Sequence, residues 1–258
     1  MKVVLFCGGM GMRLREYSDE VPKPMVPIGP RPILWNLMRY YAHFGHNDFI
    51  LCLGWRGNVI KDYFLRYNEC LSNDFTLAGG EIQLHNRDID DWKITFVDTG
   101  QTANVGQRLK QVEHLLRDEE TFLANYSDGL SDLPLPALLN DFHRQQVICT
   151  CLCVKPRQSF HLIDFNADKL AKRITPVSEA DQWMNGGYFA MTPKIFEYLR
   201  EGEDLAWQPF RRLIAEQKLG VYPYEGFWGC VDTYKEMRAL EEMHASGNSP
   251  WEVWRHRS

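Results

Sequence analysis

Short apolar runs alternate along this chain with stretches whose apolar residues recur three and four positions apart. Residues 3–7 (Val3-Val4-Leu5-Phe6-Cys7) are an unbroken apolar run, the pattern of a strand buried on both faces, and Gly8-Gly9 ends it. Residues 32–44 place Ile33, Leu34, Leu37, Met38 and Tyr41 at helical spacing. A strand pattern follows at 48–53 and a helical one at 57–67. Strand–helix–strand–helix order implies right-handed crossovers and a parallel sheet. The strand pattern returns at 93–97, 121–126, 147–154 and 187–191. Helical patterns lie at 103–117, 136–145, 193–199, 208–217 and 233–246. The expected fold is α/β, with a Rossmann-like, mostly parallel sheet flanked by helices.

Residues 68–92 break this rhythm with polar turns, Gly79-Gly80 and a weak alternation at 81–85. They read as an inserted loop or hairpin. A surface hairpin without a role and a lid or oligomer contact both stay open. Trp251 and Trp254 close to the end suggest a tail docked on its own body or on a neighbouring subunit. No repeat or low-complexity segment interrupts the chain. The expected organisation is a single domain over 1–258, with an insertion at 68–92 and a C-terminal helical tail at 233–258.

Composition narrows the function classes. The chain of 258 residues is 45% apolar and 24% charged, ordinary for a globular protein. Its net charge of −5 argues against a broad grip on nucleic acid, while leaving room for a local basic pocket. No apolar run approaches the roughly 20 residues that span a bilayer. The opening run is also shorter than the roughly 7–15 residues of a signal-peptide core. Neither nucleic acid nor membrane is expected as a partner. Seven cysteines form no CxxC pair, and Cys149, Cys151 and Cys153 alternate along one strand. They read as buried thiols in a reducing cytosol, which implies a cytoplasmic protein.

Candidate chemistry starts directly after the first strand, at Gly8-Gly9-Met10-Gly11-Met12-Arg13. Consecutive amides in such a turn cradle phosphate oxygens, and Arg13 adds a charged fork. A dinucleotide fingerprint starting at Gly9 fails, because Leu14 stands where the third glycine belongs. No Gly-Lys-Ser/Thr completes a Walker A loop. Taken alone, the loop is equally a tight turn without a ligand. Pro22-Lys23-Pro24 follows closely. The prolines fix φ and bar a helix, so Lys23 is expected on a stiff, extended segment suited to a phosphate contact. Alone, Pro-Lys-Pro reads as a surface loop; the two motifs together favour phosphate.

Asp128, in Tyr126-Ser127-Asp128-Gly129, ends a predicted strand at the carboxyl edge where ligands of parallel sheets bind. Asp232 stands just before the last helix, where either it or Thr233 would serve as N-cap. Asp132 reads as a turn residue. The eight histidines have no metal spacing, no Ser-His-Asp or Cys-His order stands out, and the apolar neighbours of Cys7 suggest packing.

G-G-x-G-x-R followed by P-K-P-M resembles the sugar-1-phosphate nucleotidylyltransferases. Further stretches resemble one branch, the bacterial glucose-1-phosphate cytidylyltransferases. They are Pro32-Ile33-Leu34-Trp35, residues 54–64, Val97-Asp98-Thr99-Gly100, Gly106-Gln107-Arg108-Leu109-Lys110, Asn185-Gly186-Gly187-Tyr188-Phe189 and Gly226-Phe227-Trp228. The resemblance covers nearly the whole chain. It implies a nucleotide-diphospho-sugar transferase-like fold. It also implies Mg²⁺-dependent transfer of a nucleotidyl group, cytidylyl above others, from CTP or another NTP to a sugar 1-phosphate such as glucose 1-phosphate. Lys23, Arg13 and Asp128 would be catalytic, with Asp128 and Asp232 on Mg²⁺. Cys7, Gly8, Gly9, Gly11, Met12, Arg13, Lys23, Gly106, Arg108 and Ser127 would line the nucleotide. For Arg108, an ordinary surface-helix charge is the alternative. Tyr126, Asn185, Gly186, His161 and Arg173 would line the acceptor. A homo-oligomer is implied, with 68–92 as the candidate contact.

A phosphate monoester has its second pKa near ~6, so the acceptor is already a charged nucleophile at pH 7. That agrees with the lack of an evident general base. Three positions depart from the family. Ile174-Thr175-Pro176-Val177-Ser178 replaces the usual Glu-Lys-Pro, whose lysine meets the sugar phosphate. Phe160-His161 replaces an aromatic-Gly pair, and Met12 replaces a common Thr. The triphosphate half looks preserved and the acceptor half altered. A different phosphate or phosphonate acceptor, or a non-catalytic nucleotide-binding homologue, are therefore the alternatives.

Overall fold

A computed structural model describes residues 1–9, 21–156 and 160–255. Seven strands form the central sheet: β1 (Lys2–Phe6), β4 (Asp48–Leu53), β7 (Lys93–Asp98), β8 (Phe122–Asn125), β10 (Cys149–Val154), β13 (Met184–Met191) and β14 (Leu219–Tyr224). Four two-stranded ladders lie outside it. These are β2 (Pro27–Ile28) with β3 (Arg31–Pro32), β5 (Phe75–Ala78) with β6 (Glu81–Leu84), β9 (Gly129–Ser131) with β15 (Trp228–Cys230), and β11 (His161–Phe165) with β12 (Ala171–Pro176). The described helices are α1 (Ile33–His43), α2 (Gly57–Leu65), α3 (Val105–Gln111), α4 (Leu135–Gln145), α5 (Gln208–Ala215) and α6 (Tyr234–Ala245). None is long and apolar enough to cross a membrane.

The sheet order is β14-β10-β13-β8-β1-β4-β7. β1, β4, β7 and β8 run parallel, and β10 runs parallel to β14. β13 is antiparallel to both its neighbours, β8 and β10. Side chains alternate between two cores, as the pleat requires. Val3, Leu5, Phe49, Leu51 and Leu123 join the core covered by α1, α4 and α6. Val4, Phe6, Ile50, Phe122 and Ala124 join the one covered by α3 and α5. The chain leaves β1 for β4 and β7 on one side, then returns to β8 on the other side of β1. Strand order reverses between β1 and β8, the place where open α/β sheets bind ligands beyond the strands' carboxyl ends.

The insertion at 68–92 is a hairpin, turned at Gly79 and Gly80. Their φ values of +61° and +87° suit a tight primed turn. Its base is stapled by Arg31, which donates to Ser72 Oγ (2.6 and 2.9 Å) and Asn68 O (2.8 Å). The tail docks on its own body: Trp251 is buried against Phe227, and Trp254 meets Trp35 edge-on at 6.0 Å. Of the three alternating cysteines, Cys149 and Cys151 are buried and Cys153 is half-buried.

Three expectations need correction. The helix expected at 103–117 ends at Gln111 and continues as a 3₁₀ turn, Glu113–Leu115. The one at 193–199 is a 3₁₀ turn, Pro193–Glu197. Lys23 lies not on an extended segment but on a single 3₁₀ turn, Lys23–Met25. One turn satisfies both prolines, because a proline in a first turn forfeits no intrahelical hydrogen bond.

Candidate active site

Lys23 is placed by its own turn. Met25 N donates to Pro22 O at 2.7 Å, and Pro24 and Met25 are buried, so the turn is anchored and presents the lysine. Asp128 is placed by a sharp reversal after β8. Ser127 sits at φ +63°. Its amide donates to Asn125 Oδ1 (3.0 Å) and its hydroxyl to Phe6 O (2.7 Å), tying the turn to β1. The β9–β15 ladder then pairs Gly129 with Cys230 and Val231 N with Asp128 O (2.9 Å). That ladder brings Asp128 and Asp232 to one point. Thr233, not Asp232, takes the N-cap of α6 in a capping box with Glu236.

The three side chains converge. Lys23 Nζ donates to Asp128 Oδ2 and Asp232 Oδ1, each at 2.5 Å. Burial alone would pull the lysine pKa down, but the two carboxylates outweigh it and hold the pKa above its ordinary value. Two carboxylate oxygens thus face a single point already occupied by a cation. Hard oxygen donors of this kind suit Mg²⁺, which commonly takes one or two carboxylates and completes its shell with phosphate oxygens and water. Among the described residues no group of three or more His, Cys, Asp or Glu is placed to hold a metal ion, so the protein offers only this carboxylate pair here.

Beside this point, β1 runs out into Cys7, Gly8 and Gly9. Burial pushes the Cys7 thiol up to about 12, so it is a neutral packing group. Arg108, on α3, is 3% exposed and is no surface charge. Its guanidinium donates to Gly8 O (2.9 Å), Leu53 O (3.0 Å), Gly100 O (2.9 Å) and Thr99 Oγ1 (2.6 Å). It clamps the ends of β1, β4 and β7 together from below. A Cβ on Gly8 would lie 2.0 Å from its Cζ, which is why that position is glycine. Gly106 has its own packing reason: a Cβ there would lie 2.3 Å from Glu203 O. Gly11, Met12 and Arg13 lie outside the described residues.

Across the sheet, Asn185 Nδ2 donates to Tyr126 Oη at 3.1 Å, and Trp228 Nε1 donates to Gly186 O at 2.8 Å. Gly187 has φ +77°, and a Cβ on it would lie 2.7 Å from the Tyr126 ring. These glycines let Tyr126 and Trp228 close onto the strand. Asp132 holds the turn before β15, accepting from Tyr224 Oη (2.6 Å) and Phe227 N (2.8 Å). His161 and Arg173 are elsewhere, exposed on the β11–β12 hairpin, where Arg173 pairs with Asp164 at 2.9 Å. Sequence reasoning marked Arg108 and Trp228 within family-like stretches but missed what they hold, the clamp on Gly8 and Leu53 and the bond to Gly186 O, because those partners lie far away along the chain.

The chain matches the Nucleotidyl transferase family over residues 2–231. It belongs to that family. It is 36% identical to a protein named "Probable glucose-1-phosphate cytidylyltransferase" from Bacillus subtilis, over 98% of this chain and 100% of that one. It is 34% identical, with the same coverage, to the glucose-1-phosphate cytidylyltransferase of Salmonella typhimurium. Among solved structures, a UDP-glucose pyrophosphorylase complexed with UDP-glucose superposes with a TM-score of 0.71 at 16% identity, over 95% of this chain and 98% of that one. HddC from Yersinia pseudotuberculosis gives a TM-score of 0.67 at 17% identity, over 94% and 99%. These likenesses show the fold of this nucleotidyl transferase to be that of nucleotide-sugar pyrophosphorylases.

Proposed function

We propose that this nucleotidyl transferase makes a CDP-sugar and pyrophosphate from CTP and a sugar 1-phosphate, glucose 1-phosphate above others. The observation that carries the reading is the meeting of Lys23 with Asp128 and Asp232 at the switch point of the sheet. The full-length likeness to cytidylyltransferases supports the choice of base and acceptor.

An oxygen of the acceptor phosphate forms a bond to the α-phosphorus of the triphosphate. The bond from that phosphorus to the bridging oxygen breaks, and pyrophosphate leaves with the electron pair. No proton has to be removed from a dianionic nucleophile. The protein's task is to orient two anions and neutralise their repulsion. The amides of Gly8 and Gly9 and the Arg13 guanidinium hold the triphosphate. Lys23 stabilises charge on the α-phosphoryl group and the departing pyrophosphate. Asn185, oriented by Tyr126, meets the sugar. Asp128 and Asp232 would hold Mg²⁺, which when bound supplies charge neutralisation between the two substrates. The protein acts in the cytoplasm as a homo-oligomer. Phe75, Leu77 and Ile82 share one exposed face of the insertion hairpin, which suits a contact with a second copy.

The test is pyrophosphate release with Mg²⁺, scanning CTP, UTP, dTTP, ATP and GTP against sugar 1-phosphates and other phosphate and phosphonate monoesters. Turnover with CTP and glucose 1-phosphate is expected. Turnover only with another acceptor would move the substrate assignment. CTP binding without release for any acceptor would leave a nucleotide-binding homologue.

A further inference from the structure

The acceptor side of this site poses an unanswered charge problem. A phosphate dianion brings two negative charges to a site whose own carboxylates already engage Lys23, and residues 177–183, just before β13, hold no lysine or arginine. Lys172 is exposed on β12, and Arg173 spends its charge on Asp164. Lys155 is placed differently. It directly follows β10, whose end opens on the same rim as the end of β8, since both strands run antiparallel to β13. Cys153 pairs with Asn185 and Val154 with Met184, so Lys155 follows at the level of Trp183, two residues before Asn185 on the neighbouring strand. Two strand spacings, about 10 Å, separate β10 from β8, and β13 with Asn185 lies between.

The lysine is held yet reachable. Its ammonium lies 4.4 Å from the Trp183 ring centroid, and its side chain is 28% exposed. Its polar partners are the Ala180 carbonyl at 3.3 Å and the fully exposed Asp181 carboxylate at 3.2 Å. An ion pair to a fully exposed carboxylate is weak, so a phosphate dianion displaces Asp181 at small cost. The ring face orients the ammonium without neutralising it.

We infer that Lys155, shelved on Trp183, is the cation that holds the acceptor phosphate from the side opposite Lys23. This rests on the proposed function and names a residue that sets its acceptor specificity. Lys155→Met is expected to raise KM for glucose 1-phosphate about tenfold or more, the weight of one charge-assisted hydrogen bond, with KM for CTP unchanged within about twofold. Lys155→Arg is expected to recover part of the loss. Binding gives a second readout. Glucose 1-phosphate should change tryptophan emission saturably as the ammonium leaves the ring. That change should disappear in Trp183→Phe and in Lys155→Met. A staple that merely pinned the 180–183 segment would lower Tm and raise both KM values together, and that result overturns the assignment. So does an unchanged acceptor KM in Lys155→Met while the wild-type enzyme turns over. If the wild-type enzyme releases no pyrophosphate with any pair, the underlying function fails first and the assignment with it.

Discussion

Two sides of this sheet are built in opposite ways. On the side of Gly8, a buried guanidinium ties the ends of β1, β4 and β7 into one unit, and its partners are mostly backbone carbonyls. On the other, the β11–β12 hairpin stands on an exposed ladder, with Ile163, Phe165 and Ile174 open to solvent and an Arg173–Asp164 pair on its surface. A two-stranded hairpin is marginal on its own. The difference teaches where this chain spends rigidity. The strand ends behind Gly8 are held by a buried clamp, while the β11–β12 hairpin relies on its own ladder and a surface ion pair.

The comparison breaks first at Arg108. Arg108→Met leaves buried carbonyls of Gly8, Leu53 and Gly100 without that donor, so urea unfolding should show a loss on the order of 3 kcal/mol, with KM for CTP rising. An unchanged midpoint would mean the clamp is dispensable. Gly187→Ala attacks the seam between the two sides. Its methyl group would meet the Tyr126 ring at 2.7 Å from a left-handed backbone, and a loss of about 1–3 kcal/mol is expected in thermal or urea melts.

A smaller effect lies at the amino ends of β1 and β4. Burial, helped by the N-terminal ammonium, holds the His46 imidazole down at about 4, and its Nδ1 is buried without a partner. Its unfolded value is near 6.5, so below that pH the unfolded chain binds a proton that the native one refuses. Stability should fall between pH 6.5 and 4 and level off below, by about 1–2 kcal/mol given partial exposure; His46→Asn should flatten that window. The smallest effect belongs to the hairpin. Arg173→Ala should cost under about 0.5 kcal/mol and leave KM for CTP alone.

The same contrast explains what could be read from the chain. β1 and β4 announce themselves as unbroken apolar runs because both faces are buried, and Asp128 follows from its place at a strand end. β14 escaped notice because Pro223 sits inside it, which an edge strand pairing only with β10 accommodates. The β11–β12 hairpin escaped because exposed apolar residues on one face blur the alternation. The reversal at Ser127 and the Arg108 clamp depend on partners about a hundred residues away, Phe6 and Gly8. Such long-range hydrogen bonds leave no local period to detect.

The central claim is that Lys23, seated between Asp128 and Asp232, carries charge in the transition state and not merely in the resting fold. Its most direct test is single-turnover pyrophosphate release from CTP and glucose 1-phosphate, with Mg²⁺ and both substrates saturating, comparing the wild-type enzyme with Lys23→Met. The expected rate is lower by about 10²–10³-fold, with CTP still bound. A variant that releases pyrophosphate at close to the wild-type rate would contradict it.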